Sequence, residues 1–244
     1  MTPATAGGMA AAPGNGRFSL DSSEVEQLWD WLKDGSIMRP AAIRAQLRRG
    51  WGLCPRHTWA HAAVECELRS QPFTTATLTR DLTSRAAQTL RSPPRQRSTP
   101  MPQMALRSSA ACVACQWLAT APADGDAGSA ERCQRVNRLE RTRGYLAESR
   151  PVWAVRSCPQ CRGGGGICCR PHLLAAGASS VDTVRCAEEL DTLGERLDTL
   201  IAAMTVRGPA ATTTDRAALV EALGWLTGWG LVEHIARPAG SRSP

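Results

Sequence analysis

Lysine is almost missing from this chain, with one copy against 28 arginines, and aromatics other than tryptophan amount to one tyrosine and two phenylalanines. No uninterrupted apolar stretch approaches the roughly 20 residues needed to cross a bilayer. No basic flank leads into an apolar run at the N-terminus, and Asp21 to Asp34 is already amphipathic. Both absences favour a cytosolic protein without a membrane or secretory segment. The chain has no Ser-His-Asp order, P-loop, dinucleotide fingerprint or His-Glu-x-x-His pattern, so the enzyme classes that those motifs mark find no support. No Asn-Gly or Asp-Gly pair sits between alternating apolar runs, which removes the strongest hairpin signal. The expected fold is therefore mainly α, with no substantial sheet.

What is present is a chain of 244 residues with 43% hydrophobic content, enough to bury a sizeable core in one or two domains. Eight of the eleven aromatics are tryptophan. The formal charge is +7. A broad excess without a localised basic stripe is usually solvated surface, and the bias to Arg and Ala follows from a GC-rich genome. Ten cysteines stand out. In a reducing compartment they point to metal ligation rather than structural disulfides.

Along the chain, residues 1–18 read as a disordered tail rich in Ala, Gly, Pro and Thr. Residues 19–91 form an N-terminal helical segment. In it Ser22 or Ser23 caps a helix that Gly35 ends, and Pro40 opens a second. Further helices are expected over Thr58–Leu68 and Thr74–Leu90. Residues 92–109, with Pro93, Pro94, Pro100 and Pro102, read as a flexible linker. Residues 110–240 form a Cys-rich helical domain with a C-terminal helix pair. A helix is expected over Ala130–Glu148. Cys186, Leu190, Leu193, Leu197, Leu200 and Met204 form an apolar seam whose alternating steps fit a helix lying along a partner. Thr214 or Asp215 caps a last helix that carries Trp225 and Trp229 one turn apart.

Two pairs, Cys112-x2-Cys115 and Cys158-x2-Cys161, are paired-thiolate knuckles, and two more, Cys54-x2-His57 and Cys169-x2-His172, are Cys/His pairs. Two intervening residues let a chain turn around one ion, with donors at about 2.0–2.3 Å. Cys158, Cys161, Cys169 and His172 fall within fifteen residues that include four consecutive glycines, which allow the reversal joining both pairs. Cys168 competes with Cys169; the latter reproduces the spacing of Cys54 and His57. A redox dithiol is the competing reading, but it would want a βαβ frame. The second set joins Cys54 and His57 to Cys112 and Cys115 across more than fifty residues, a closure whose entropy grows slowly with length. Here Cys133 is a substitute ligand, and the bland alternative is a half-site plus buried thiols. Cys66 and Cys186 read as small buried hydrophobes, and His61 as a surface or supporting residue.

The stretches Gly-Leu-Cys-Pro-Arg-His-x-Trp (52–59), Cys-Pro-Gln-Cys (158–161) and Cys-Arg-Pro-His-Leu-Leu (169–174) resemble an uncharacterised bacterial family. Its members repeat Cys-Pro-x-Cys followed by Gly-x-Cys-x-x-His-x-x-x-Leu on helical hairpins. The resemblance spans about Gly50 to His172 and implies helical hairpins with zinc-type sites, but no activity. The chain departs from the pattern twice. No Cys-x2-Cys precedes Cys54, and Tyr145–Trp153 lacks the expected Cys and His.

These readings favour helical hairpins stapled by two zinc ions, acting as a non-catalytic binding or regulatory scaffold. A protein partner is favoured over nucleic acid. For the latter, the helical face with Arg132, Arg135, Arg138, Arg141 and Arg143 is the best surface. A metal- or thiol-dependent enzyme, or a redox-responsive protein with one incomplete site, is the alternative, and an iron–sulfur cluster is a third use of the same cysteines. Oligomeric state is not legible.

Overall fold

A computed structural model describes residues 18–33, 40–92, 102–120, 128–175 and 183–237. Among these every regular element is a helix, with no strand. The helices are α1 (Ser22–Lys33), α2 (Ala41–Gly50), α3 (Pro55–Arg69), α4 (Phe73–Arg91), α5 (Val113–Leu118), α6 (Ser129–Arg138), α7 (Glu140–Trp153), α8 (Pro159–Arg162), α9 (Arg170–Ala175), α10 (Thr183–Ala203), α11 (Thr213–Thr227) and α12 (Gly230–Ala236). A 3-10 turn spans Pro102–Leu106.

One apolar core runs from Phe18 to Ile235 and draws on both segments of the sequence. Helix α10 lies along α4, and α11 packs on both α10 and α7. Five of the six expected seam residues, Cys186, Leu190, Leu193, Leu197 and Leu200, are buried, while Met204 lies just past the end of α10 and is partly buried. Outside the seam, Arg80 grips Asp198 with two hydrogen bonds of 2.9 and 2.7 Å. Helix α3 sits at the centre, touching α1, α4, α6, α7, α11 and α12. That is why it is buried nearly all round rather than on one stripe.

Two buried glutamates on α3 orient its neighbours. A helix N-terminus leaves N–H groups without intrahelical partners. The Glu65 carboxylate accepts from the N–H groups of Thr74 and Thr75 at 2.7 and 2.8 Å, capping α4 from outside. Two residues on, Glu67 accepts from Thr142 N–H at 2.8 Å and caps α7. This second cap corrects the single helix expected over Ala130–Glu148. Leu139 adopts a left-handed φ of 55° and divides α6 from α7. The strain is offset where Glu67 receives the freed N–H groups and Leu139 is buried.

Other boundaries also move. Asp21, not Ser22 or Ser23, caps α1: its Oδ1 accepts from Glu24 N–H at 2.8 Å, and Glu24 Oε2 accepts from Asp21 N–H at 3.0 Å. Thr212, rather than Thr214 or Asp215, caps α11 through a reciprocal box with Asp215. The last helix breaks at Gly228, so Trp229 begins α12 instead of continuing α11. Of the stretch expected as a linker, 93–101 lies outside the described residues. Its later part packs: Leu106 is buried, and Ser109 N–H donates to the Arg49 carbonyl at 2.9 Å. The expected tail, 1–17, is likewise outside the described residues, while Phe18 is in the core. Among the described residues no helix is long and apolar enough to cross a membrane.

Candidate metal centres

Cluster A collects Cys54, His57, Cys112 and Cys115. Cys54 lies just before α3 and His57 in its first turn. Cys112 lies just before α5 and Cys115 within it. Each pair thus uses a helix start to aim two donors at one point. His57 Nδ1 is 3.3 Å from Cys54 Sγ, 3.3 Å from Cys115 Sγ and 3.7 Å from Cys112 Sγ; the Cys54 and Cys115 sulfurs are 3.8 Å apart.

Cluster B collects Cys158, Cys161, Cys169 and His172. His172 Nδ1 is 3.3 Å from Cys161 Sγ, 3.3 Å from Cys169 Sγ and 3.5 Å from Cys158 Sγ, and the Cys161 and Cys169 sulfurs are 3.6 Å apart. The glycine stretch makes this reversal. Gly165 N–H donates to the Val155 carbonyl at 2.9 Å and Gly166 N–H to the Ser157 carbonyl at 3.2 Å. A Cβ on Gly166 would lie 1.9 Å from the Arg156 carbonyl oxygen, and one on Gly164 2.3 Å from that of Ser157. The chain passes too close to itself there for any side chain.

These distances test whether an ion fits. In a tetrahedron with zinc-type bond lengths, a nitrogen and a sulfur are about 3.5 Å apart and two sulfurs about 3.8 Å. Both clusters match within a few tenths of an ångström. A disulfide would need about 2.05 Å between sulfurs, and all ten cysteines are free. Four donors converge in each cluster, and thiolates this close repel one another unless a cation lies between them. The donor sets therefore suit a divalent, thiophilic ion.

The surroundings differ. At cluster A the far nitrogen of His57, Nε2, faces Glu24 Oε1 at 3.5 Å. Arg56 holds that carboxylate with two 2.7 Å hydrogen bonds. Burial alone would raise the Glu24 carboxyl. The His57 imidazole, the Arg56 guanidinium and the Asp21 N–H outweigh it and hold the group at about 2. Burial opposes charge on His57 too, but Cys112 and Glu24 lift it to about 10. Within the cluster, hydrogen bonding between the two sulfurs raises Cys54 and lowers Cys112. At cluster B, burial would raise Cys158, yet the N–H groups of Cys169, Cys161 and Gln160, with His172, bring it to about 7. Burial raises Cys161 and Cys169. The N–H of Trp229 donates to Cys161 and ties the start of α12 to the cluster.

The neighbouring candidates stand apart. Cys168 lies close to Cys158 but outside the set of converging donors. Cys133 turns to the Leu20 carbonyl at 3.6 Å and to Asn137 Nδ2 at 3.3 Å. Cys66 and Cys186 are buried. His61 is buried rather than exposed, with Nδ1 2.8 Å from Thr75 Oγ1. Sequence reasoning missed three supporting residues. Arg56 reaches Glu24 and the Ser19 carbonyl, and Arg170 donates to the carbonyls of Leu226 and Leu106 at 2.9 and 3.1 Å. Both arginines sit inside a Cys-x2-His pair, and that shared position was the available signal. Glu24 offered none, because its partner is 33 residues away.

Fold and clusters together define a class: an all-helical protein, among its described residues, with two Cys3His clusters able to hold metal ions. Comparison with known protein families, with curated proteins and with solved structures finds no match. The likeness to the bacterial motif family therefore rests on its motifs alone.

Proposed function

We propose that the chain is a cytoplasmic, zinc-stabilised scaffold in which two zinc ions staple helices that present a surface to a protein partner. The observation that carries this is that each cluster gathers four protein donors. Four donors leave no coordination position for water or substrate, the arrangement of structural rather than catalytic zinc. One histidine per cluster and the tight glycine loop favour zinc over an iron–sulfur centre.

A protein partner is favoured over nucleic acid because the arginine face on α6 and α7 is largely engaged within the molecule. Arg132 grips Glu26 with two 2.7 Å hydrogen bonds, from Nε and Nη2. Arg141 donates to the Glu67 carbonyl, and Arg143 to the carbonyls of Ile235 and Arg138. Guanidiniums held this way are poor phosphate contacts. The enzyme alternative needs an incomplete site, which neither donor set suggests.

Elemental analysis of the purified chain tests the proposal. Two zinc ions per chain, no visible colour and no salt-dependent affinity for DNA or RNA at low ionic strength are expected. One ion with a reactive low-pKa thiol, or a coloured protein, would overturn it.

A further inference from the structure

The two clusters differ in what can reach their sulfurs. Cys115, near the start of α5, is exposed, and Cys54 and Cys112 are half-buried. In cluster B, Cys158 and Cys169 are buried, and the half-buried Cys161 receives the Trp229 N–H. The thiolate, not the thiol, is the nucleophile, and its reactivity follows access. A thiol that ligates zinc is deprotonated outright. Cluster A therefore presents a thiolate to solvent, and cluster B has none so open.

The geometry also supplies a second thiolate to complete a reaction. The Cys54 sulfur is 3.8 Å from that of Cys115. A disulfide needs the two to close to about 2.05 Å. The surroundings stay assembled without help from that pair. Arg56 holds Glu24 with two 2.7 Å hydrogen bonds, and Glu24 faces His57 Nε2 at 3.5 Å. Helix α5 is seated by Trp117, whose ring meets that of Trp31 edge-on at 4.8 Å, and by Gln116, which accepts from Gln46 at 2.5 Å. Once a disulfide is reduced, the donors remain placed to take up an ion again.

We propose that cluster A is a peroxide-sensitive zinc staple, in which Cys115 is oxidised, Cys54 closes a disulfide onto it and the ion is released. The Cys115 thiolate attacks one oxygen of a hydroperoxide. The O–O bond breaks, leaving a sulfenic acid and hydroxide. The Cys54 thiolate then attacks the Cys115 sulfur, the S–S bond forms and the S–O bond breaks, releasing a second hydroxide. Two thiolates have lost two electrons, and the peroxide has become two hydroxides that take protons from solvent. Only Cys112 and His57 remain as donors, too few to retain the ion. The switch deepens the zinc-scaffold reading and rests on it.

The full chain, loaded with zinc, is treated with hydrogen peroxide, desalted, and assayed for bound zinc and free thiols. One ion and two thiols per chain should be lost, and peptide mapping should find a Cys54–Cys115 disulfide. Dithiothreitol with added zinc should restore both. Dimedone, which traps sulfenic acids, should label Cys115 when present from the start. Cys115→His keeps four donors without the exposed thiolate, and zinc loss should slow by about tenfold or more. Dimedone labelling and disulfide mapping use the unaltered chain, so they decide the matter even if that variant fails to fold. Retention of both ions, equal loss from both clusters, a dimedone label on another cysteine, or unchanged zinc loss in Cys115→His would each overturn the switch. Zinc content before peroxide separates the two readings. Fewer than two ions at the outset defeats the scaffold reading; two ions that survive peroxide defeat the switch alone.

Discussion

The two clusters use the same donors at nearly the same spacing, yet one is local and the other is not. In cluster B, Cys158 and His172 are 14 positions apart in the chain, and Cys158 and Cys169 are fully buried. In cluster A, Cys54 and Cys115 are 61 residues apart and Cys115 is exposed. Cluster B shapes one loop from within. Cluster A joins two distant parts of the chain, α3 and α5, at the molecular surface. The same set of donor residues thus closes a local turn in one place and brings distant parts of the chain together in the other.

The largest expected effect follows from burial. Cys169→Ser should cost one metal ion and lower the melting temperature by on the order of 10 °C, since binding energy at a structural site is folding energy. Zinc analysis and thermal unfolding by circular dichroism check it. Unchanged metal content and melting would remove cluster B as a metal centre. Cys54→Ser should also lose one ion, with a smaller drop. Chelator challenge sharpens the contrast: release should be biphasic, with the fast phase from exposed cluster A. That phase should vanish in Cys54→Ser and persist in Cys169→Ser. A single phase, or the reverse assignment, would break the comparison.

Legibility followed the same division. The local donors of cluster B could be read from spacing, because two dipeptide gaps and a run of glycine fix the geometry within one loop. The partner of Cys54 and His57 had to be sought by elimination among distant cysteines. The α10 seam was legible because its period alone marks the face that α4 covers. The break at Leu139 was not, because the carboxylate that stabilises it comes from Glu67 on another helix. Trp229 likewise looked like one more turn of α11. Its placement depends on Gly228, at φ 85°, on Trp153 and on the Cys161 sulfur. Caps were misplaced by one to three residues, since Ser, Thr and Asp compete for the same role and the helix start is set by what it packs on.

A smaller effect should isolate what surrounds cluster A. A carboxylate facing the far nitrogen of a metal-bound histidine raises its basicity and fixes the ring. Glu24→Gln removes that charge while keeping the shape. Zinc affinity at cluster A should fall by about 10–100-fold, with cluster B unchanged. The sign of the pH dependence follows from Glu24. Its carboxyl is held at about 2, below its ordinary 4.5, so its contribution to stability is complete above 4.5 and is lost as pH falls toward 2. Glu24→Gln should flatten stability in that window. Competition with a chromophoric chelator and acid titration measure both; an equal loss at the two clusters would show that Glu24 acts through the fold as a whole.

The smallest effects belong to the two thiols that stand beside the clusters without joining them. Cys133 is occupied by Leu20 and Asn137, and Cys168 sits next to Cys169 but is left out of the converging set. If four donors complete each site, Cys133→Ser and Cys168→Ser should keep both ions and shift stability by about 1 kcal/mol or less, the scale of a change away from the metal. The Cys168 variant is the sharper of the two. Because the cysteines are adjacent, a loop that slipped by one residue could offer Cys168 to the ion instead. Serine at 168 that cost an ion, with serine at 169 tolerated, would show that slip, and the spacing shared by the two Cys-x2-His pairs would then not determine the ligand.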